Sequence, residues 1–266
     1  MSRRIAGVAA AAGLLLAGCS SSPSAPAQSD GASAGAGSTP GSVPGSITVF
    51  AAASLQRTFT ALGKSFEAAH PGTKVTLSFG GSSDLATQID ADAPGDVFAS
   101  ASTKTMATVV RAGHATNPGN FARNDMEIAT PAGNPDKIAS LADLARSGVK
   151  VVLCQAKVPC GDTAVAIFAK AGIKVTPVTY EKDVKSTLAK IASGEVDAGL
   201  VYVTDVLAAG SKVSGVQIPD ASNLTTDYPI AVLRQSKHIA TAQAFVDYIH
   251  SGDALAVLAA AGFMSP

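Results

Sequence analysis

From residue 46 onward, short β-branched runs alternate with stretches whose apolar residues recur every three or four positions. Residues 47–53 read as a strand. Leu55, Phe59, Leu62 and Phe66 then fall at spacings of four, three and four, which is one face of a helix. Pro71-Gly72 breaks the chain. Val75, Leu77 and Phe79 alternate within a strand over 74–79. Leu85 and Ile89 open a second helical face, 96–100 is a short strand, and Met106, Val109 and Val110 mark a helix ending near Gly113.

The second half repeats the rhythm. Strands are expected over 126–130, 149–154, 173–179, 198–202 and 228–233. A short helix carries Leu141 and Leu144, and longer ones cover 164–171 and the stretch of Val184, Leu188 and Ile191. Gly172 and Gly194 stand where helices stop. Helices over 242–249 and 254–261 close the chain. Strands alternating with helices predict an α/β fold with mostly parallel sheets, without an internal sequence repeat. In such sheets ligands sit beyond the carboxyl ends of the strands, so the strand-to-helix turns hold the chemistry.

The first 45 residues break the pattern. Arg3 and Arg4 precede an uncharged apolar run from Ile5 to Gly18, 14 residues long. That is short of the ~20 a spanning helix needs and fits a secretory signal core. The run ends L-A-G-C at residues 16–19, which resembles the bacterial lipoprotein signal: the Cys19 thiol takes the lipid, and residues 1–18 are removed. Residues 20–45 hold 8 Ser, 4 Pro, 5 Gly and 5 Ala in 26 positions, too little apolar surface to offset ordering entropy. A flexible tether over 19–45 is expected, holding a folded part off the membrane.

Charge narrows the partners. The chain carries 20 basic and 20 acidic residues, and losing Arg3 and Arg4 leaves 18 against 20, a net charge of −2. A nearly neutral chain without Trp does not gather nucleic acid. Of three cysteines, Cys154 and Cys160 remain after Cys19, and an exported pair is expected to be oxidised. A metal or redox pair is the alternative, though two Cys without nearby His are too few ligands for zinc.

Four turns place small or hydroxyl residues at helix starts: residues 50–55 (F-A-A-A-S-L), 79–86 (F-G-G-S-S-D-L-A), 158–163 (V-P-C-G-D-T) and 181–185 (E-K-D-V-K). A helix N-terminus offers unpaired N–H groups and roughly half a unit of positive charge. Several aimed at one cleft suit a fully deprotonated oxyanion, which accepts hydrogen bonds and donates none. Taken singly, each such Ser reads as an ordinary N-cap.

Several strings in order then carry a resemblance. They are I-T-V-F-A-A-A-S-L at 47–55, the G-G-S-S-x-L-A turn, A-P-G-D-V-F-A-S-A at 93–101, V-P-C-G at 158–161, D-V at 183–184, D-A-G-L-V-Y-x-T-D at 197–205 and Y-P-I-A-V at 228–232. Together they resemble the molybdate-binding proteins of bacterial ABC importers over nearly all of residues 46–266. The resemblance implies a two-lobed periplasmic-binding-protein fold of type II, with lobe I over 46–125 and 228–266 and lobe II over 126–227. Two crossing strands, near 124–131 and 227–233, would join them. Carried over, Ser54 and Ser82 supply hydroxyl and N–H donors from one lobe, with Ser83 as the fallback. Backbone N–H groups of Cys160 and Val184 and the Tyr202 hydroxyl come from the other. The implied ligand is molybdate or tungstate, with no cofactor, no catalysis and no metal cation. The implied partner is a transmembrane permease, and the protein a monomer anchored by lipid to the outer face of the cell membrane.

Three rivals stand beside this reading. The same scaffold serves sulfate or phosphate; phosphate carries a proton near neutral pH and wants an acceptor such as Asp84, Asp162 or Asp183. A secreted serine hydrolase would use Ser54, but there is no G-x-S-x-G elbow and His70, His114, His238 and His250 are scattered. A purely structural lipoprotein would have no use for donor turns.

Overall fold

The computed structural model describes residues 45–266; the expected signal segment, Cys19 and tether to residue 44 lie outside the described residues. The elements in order are β1 (Gly45–Ala52), α1 (Gln56–Ala69), β2 (Thr73–Gly80), α2 (Ser82–Asp90), β3 (Val97–Ala99), α3 (Thr103–Arg111), β4 (Gly119–Asn124) and β5 (Met126–Pro131). There follow β6 (Val151–Cys154), α4 (Pro159–Ala171), β7 (Thr179–Glu181), α5 (Val184–Ala192), β8 (Ala198–Tyr202) and α6 (Val203–Ala209). The chain closes with β9 (Val213–Gln217), β10 (Thr226–Val232), α7 (Ile239–Ile249) and α8 (Gly252–Ala260). The strand expected over 47–53 spans Gly45–Ala52.

These elements build two α/β lobes, each around one five-stranded sheet: β2-β1-β3-β10-β4 in the first and β7-β6-β8-β5-β9 in the second. β1 pairs in parallel with β2 and β3, and β10 runs against both β3 and β4. β6 pairs in parallel with β7 and β8, and β5 runs against both β8 and β9. Each sheet is therefore parallel apart from one reversed strand in the fourth position, so the two lobes share a topology that the sequence does not show as a repeat.

The chain passes from the first sheet to the second at Asp125, between β4 and β5, and returns over 218–225. The stretch 227–233, expected as a crossing, is instead mostly β10, already inside the first sheet: Thr226 and Asp227 pair with Asn124 and Arg123. The strand expected over 173–179 also fails to form. Pro177 has no N–H to give a ladder, the first cross-strand bond is Val178 N to Val151 O at 2.9 Å, and β7 begins at Thr179. β4, α6 and β9 were not foreseen at all.

The cores follow the predicted faces. Phe59, Leu62 and Phe66 of α1 are fully buried with Phe121 and Phe245, and Phe59 meets Phe121 with ring centroids 5.6 Å apart. Burial of side chains of this size stabilises by about 2–3 kcal/mol each. In the second lobe Val151, Val152, Ile167, Ile191, Ala198 and Leu200 fill the corresponding place. The described residues include no helix long and apolar enough to cross a membrane.

Candidate functional site

The carboxyl ends of β1, β2 and β3 face those of β6, β7 and β8. Ala52, Gly80 and Ala101 from the first lobe, with Val158, Asp183 and Tyr202 from the second, line one small cavity of about 10 Å³. That is far below the size of a pocket for an organic ligand. Larger grooves lie elsewhere, including one of about 380 Å³ along α2 and α3 and one of about 600 Å³ beside α4, but neither gathers these strand ends. Ser54, Ser82, Cys160, Val184 and Tyr202 all line the small cavity. Ser83 does not; it faces outward and donates from Oγ to Lys157 O at 2.5 Å.

On the first lobe the donors are serine hydroxyls. β1 runs into a 3-10 turn over Ala53–Leu55, which buries Ser54 at the start of α1. Ser82 is the first residue of α2, and among the described residues no side chain caps that helix. Asp84 N and Leu85 N fold back onto Gly81 O, leaving the Ser82 and Ser83 amides at the free end. Both hydroxyls are held from behind. Ala101 N donates to Ser82 Oγ at 3.0 Å, and Ser54 Oγ lies 3.0 Å from Tyr228 Oη.

On the second lobe the donors are mostly main-chain. α4 begins with Pro159, which has no N–H, and Gly161 N turns back to Val158 O. The Cys160 amide is left facing outward from the helix end. Gly161 is required here, since a Cβ would stand 2.6 Å from Cys154 O. A disulfide joins Cys160 to Cys154 at the end of β6, with Cα atoms 5.8 Å apart. In α5, Asp183 caps the helix by accepting from Ser186 N at 2.8 Å, which leaves Val184 N at the tip.

Tyr202 ends β8 and is 1% exposed, yet its hydroxyl has no hydrogen-bond partner among the described residues. A buried polar atom of this kind is costly unless something completes it. Burial, with Tyr228 and Asp205 nearby, holds the Tyr202 phenol well above its ordinary value, so it stays a neutral O–H donor. Asp205 sits behind it. Its Oδ2 accepts from Tyr202 N at 3.2 Å and its Oδ1 from Lys185 Nζ at 2.8 Å. Burial pushes this carboxyl up, and Lys185 offsets part of that rise. Among the described residues no Lys or Arg lines the cavity, and Lys185, the cation on the first turn of α5, is engaged by Asp205. What remains is a small site of neutral donors with helix ends aimed at it, an arrangement suited to an unprotonated anion.

The lobes touch around this cavity. Lys104 Nζ pairs with Asp162 at 2.9 Å and Lys157 Nζ with Asp84 at 3.0 Å, each pair crossing from one lobe to the other. A Cβ on Gly81 would stand 2.7 Å from Lys182 O, so only glycine permits this approach. Asp84 and Asp162 are therefore rim ion pairs, and Asp183 is a helix cap whose Oδ1 is occupied. The hydrolase alternative finds no support: Ser54 bonds to Tyr228 rather than to an imidazole, and none of the four histidines lines the cavity. Sequence reasoning missed Tyr228, Asn124, Ala101 and Asp205. Asp205 carried a signal, an acid three residues after the Tyr202 that precedes α6.

A two-lobed α/β protein with a donor-lined cleft at the strand ends is a receptor for a small solute. Residues 47–264 match the family of bacterial extracellular solute-binding proteins, and the chain belongs to it. It is 46% identical over 221 residues to the molybdate-binding protein ModA of Mycobacterium tuberculosis, covering 83% of this chain and 85% of that one. With the Escherichia coli molybdate-binding protein ModA it shares 30% identity over 231 residues, 82% of this chain and 88% of that one. Among solved structures, the Azotobacter vinelandii periplasmic molybdate-binding protein superposes with a TM-score of 0.73 at 21% identity, over 83% of this chain and 99% of that one. The sulfate-binding protein SubI of M. tuberculosis gives 0.74 at 22% identity, over 83% and 86%, so the fold itself is shared across anions.

Proposed function

We propose that this protein captures molybdate, and tungstate with it, in the interlobe cavity and delivers it to the permease of an ABC importer. The observation that carries the reading is the convergence of Ser54, Ser82, Cys160, Val184 and the buried Tyr202 hydroxyl on one cavity where, among the described residues, that hydroxyl has no partner and no Lys or Arg is present. The Ser54 and Ser82 hydroxyls, the Cys160 and Val184 amides and the Tyr202 hydroxyl are the ligands. The relatives named above supply the choice of molybdate among tetrahedral dianions.

In this reading lobe I, expected over residues 46–125 and 228–266, also takes in Thr226 and Asp227, lobe II, expected over 126–227, ends before them, and the two move about the crossings. The anion bridges them and favours the closed form through its greater affinity for it. The permease reads that closure. Cys19 carries the lipid that anchors the monomer at the outer face of the cell membrane, residues 1–18 being the signal removed; L-A-G-C and the polar spacer support this. Mass spectrometry of the mature N-terminus tests the anchor, and an unmodified Cys19 overturns it.

Isothermal titration of the purified protein with molybdate, tungstate, sulfate and phosphate tests the ligand. Molybdate and tungstate are expected to bind with similar, tight affinity. Sulfate, with shorter bonds, and phosphate, which carries a proton, are expected to bind at least about 100-fold more weakly, as loss of one or two charge-assisted bonds entails. Tight sulfate or phosphate binding with weak molybdate binding contradicts the proposal.

A further inference from the structure

Behind the cavity lies a buried polar chain that the ligand set does not use. Asn124, the last residue of β4 before the lobe crossing, donates from Nδ2 to Thr204 Oγ1 at 2.8 Å and to Tyr228 Oη at 3.5 Å. Tyr228 Oη in turn lies 3.0 Å from Ser54 Oγ. Tyr228 is fully buried, packed by the rings of Phe121, Tyr202 and Phe263 with centroids 6.3, 5.9 and 5.4 Å away, and does not line the cavity. Burial raises its phenol well above the ordinary value, so it keeps its hydrogen.

The direction of these bonds follows from proton inventory. An amide NH₂ only donates, so Tyr228 accepts from Asn124. The phenol has one hydrogen of its own, and Ser54 Oγ is the partner in reach for it. Ser54 then accepts from Tyr228, and its own hydrogen is free to turn into the cavity. Ala101 N does the same for Ser82 by means of the main chain.

We propose that Tyr228 is a positioning residue that fixes the Ser54 hydroxyl as a donor into the anion cavity, and that Asn124 fixes Tyr228 in turn. The inference rests on the reading of Ser54 as an anion ligand. It makes the Asn124–Tyr228–Ser54 chain a determinant of selectivity. A serine committed to donating favours a bare dianion and disfavours an anion that brings its own proton.

The test is a double-mutant cycle on the full chain, with Tyr228→Phe, Ser54→Ala and the double variant titrated with molybdate and with phosphate near neutral pH. Tyr228→Phe removes one oxygen and keeps the ring packing, and its unfolding temperature without anion checks the fold. The expected loss for molybdate is about tenfold for Tyr228→Phe, the worth of one buried hydrogen bond. The double variant should bind no more weakly than Ser54→Ala, and the molybdate-to-phosphate ratio should shrink in Tyr228→Phe. A double variant weaker than Ser54→Ala by the full Tyr228→Phe factor contradicts the proposal. So does unchanged binding in Tyr228→Phe when Ser54→Ala is weakened. Wild-type affinity in Ser54→Ala would overturn the ligand assignment itself, and the positioning role with it.

Discussion

The two walls of the cavity reach the same chemistry by different means. The first lobe offers the hydroxyls of Ser54 and Ser82, each held from behind by Tyr228 Oη or Ala101 N. The second offers, beside the single Tyr202 hydroxyl, the amides of Cys160 and Val184, set by Pro159, by the Asp183 cap and by the disulfide to Cys154. A hydroxyl donor is one atom, removable by substitution, and its removal leaves the group behind it unsatisfied. A main-chain donor survives nearly any change of side chain, so its position depends on the helix end rather than on the residue name. The first wall therefore ties affinity to local stability, whereas the second separates them.

The sharpest way to break that contrast is to delete one donor from each wall. Ser82→Ala removes a ligand and strands the Ala101 amide. Affinity for molybdate is expected to fall about 10- to 100-fold, and stability without anion to fall by about 1–3 kcal/mol. Val184→Pro removes the opposing amide at the first position of α5, where proline is accepted, after an Asp183 that is already extended at φ −156° and ψ 170°. Its affinity should fall by a comparable factor of about 10 to 100, with a smaller change in stability. Titration calorimetry and thermal unfolding on both variants measure the pair; equal losses of stability would erase the contrast.

A smaller effect is expected at the disulfide. Replacing both Cys154 and Cys160 by Ser should lower stability by about 2 kcal/mol, from the entropy of a loop closed over seven residues, and weaken molybdate a fewfold by loosening the Cys160 amide. Unchanged affinity and stability would deny the disulfide any part in holding that wall. The smallest effect concerns Glu127 on β5, about 9% exposed and packed where a Cβ on Gly215 would strike its Oε1. Burial raises its carboxyl above the ordinary value. Both states are protonated below the unfolded value, so stability is full there, and it is lost as pH rises through the raised folded value. Glu127→Gln should therefore flatten the decline in unfolding temperature from pH 4 to 7 and gain about 2 °C at neutral pH. A variant that is less stable at pH 7 contradicts this.

Much of the fold was legible because burial imposes a period. The α1 face of Phe59, Leu62 and Phe66 and the strongly β-branched β6 could be read directly; the export signal expected from Arg3, Arg4 and the run to Cys19 lies outside the described residues. What hid was local. Val203–Ala209 continues a β-branched run after β8, and it turns helical because Asp205 takes the Tyr202 amide, a tertiary choice as much as a local one. Residues 173–178 alternate like a strand, but Pro177 cannot join a ladder. In the site, the turns at Ser54, Ser82, Cys160 and Val184 announced helix starts, while their convergence depended on two lobes meeting. Tyr228 and Asn124 were silent because a buried polar residue looks like any other until its partner 104 positions away is known.

The most direct test of the central claim is anomalous scattering at the molybdenum edge from crystals grown with molybdate. One dominant peak is predicted within hydrogen-bond reach of Ser54, Ser82, Cys160 N, Val184 N and Tyr202 Oη, with no Lys or Arg side chain on the anion. A peak lodged beside the rim lysines Lys104 and Lys157, with the space between the two walls unoccupied, would contradict it.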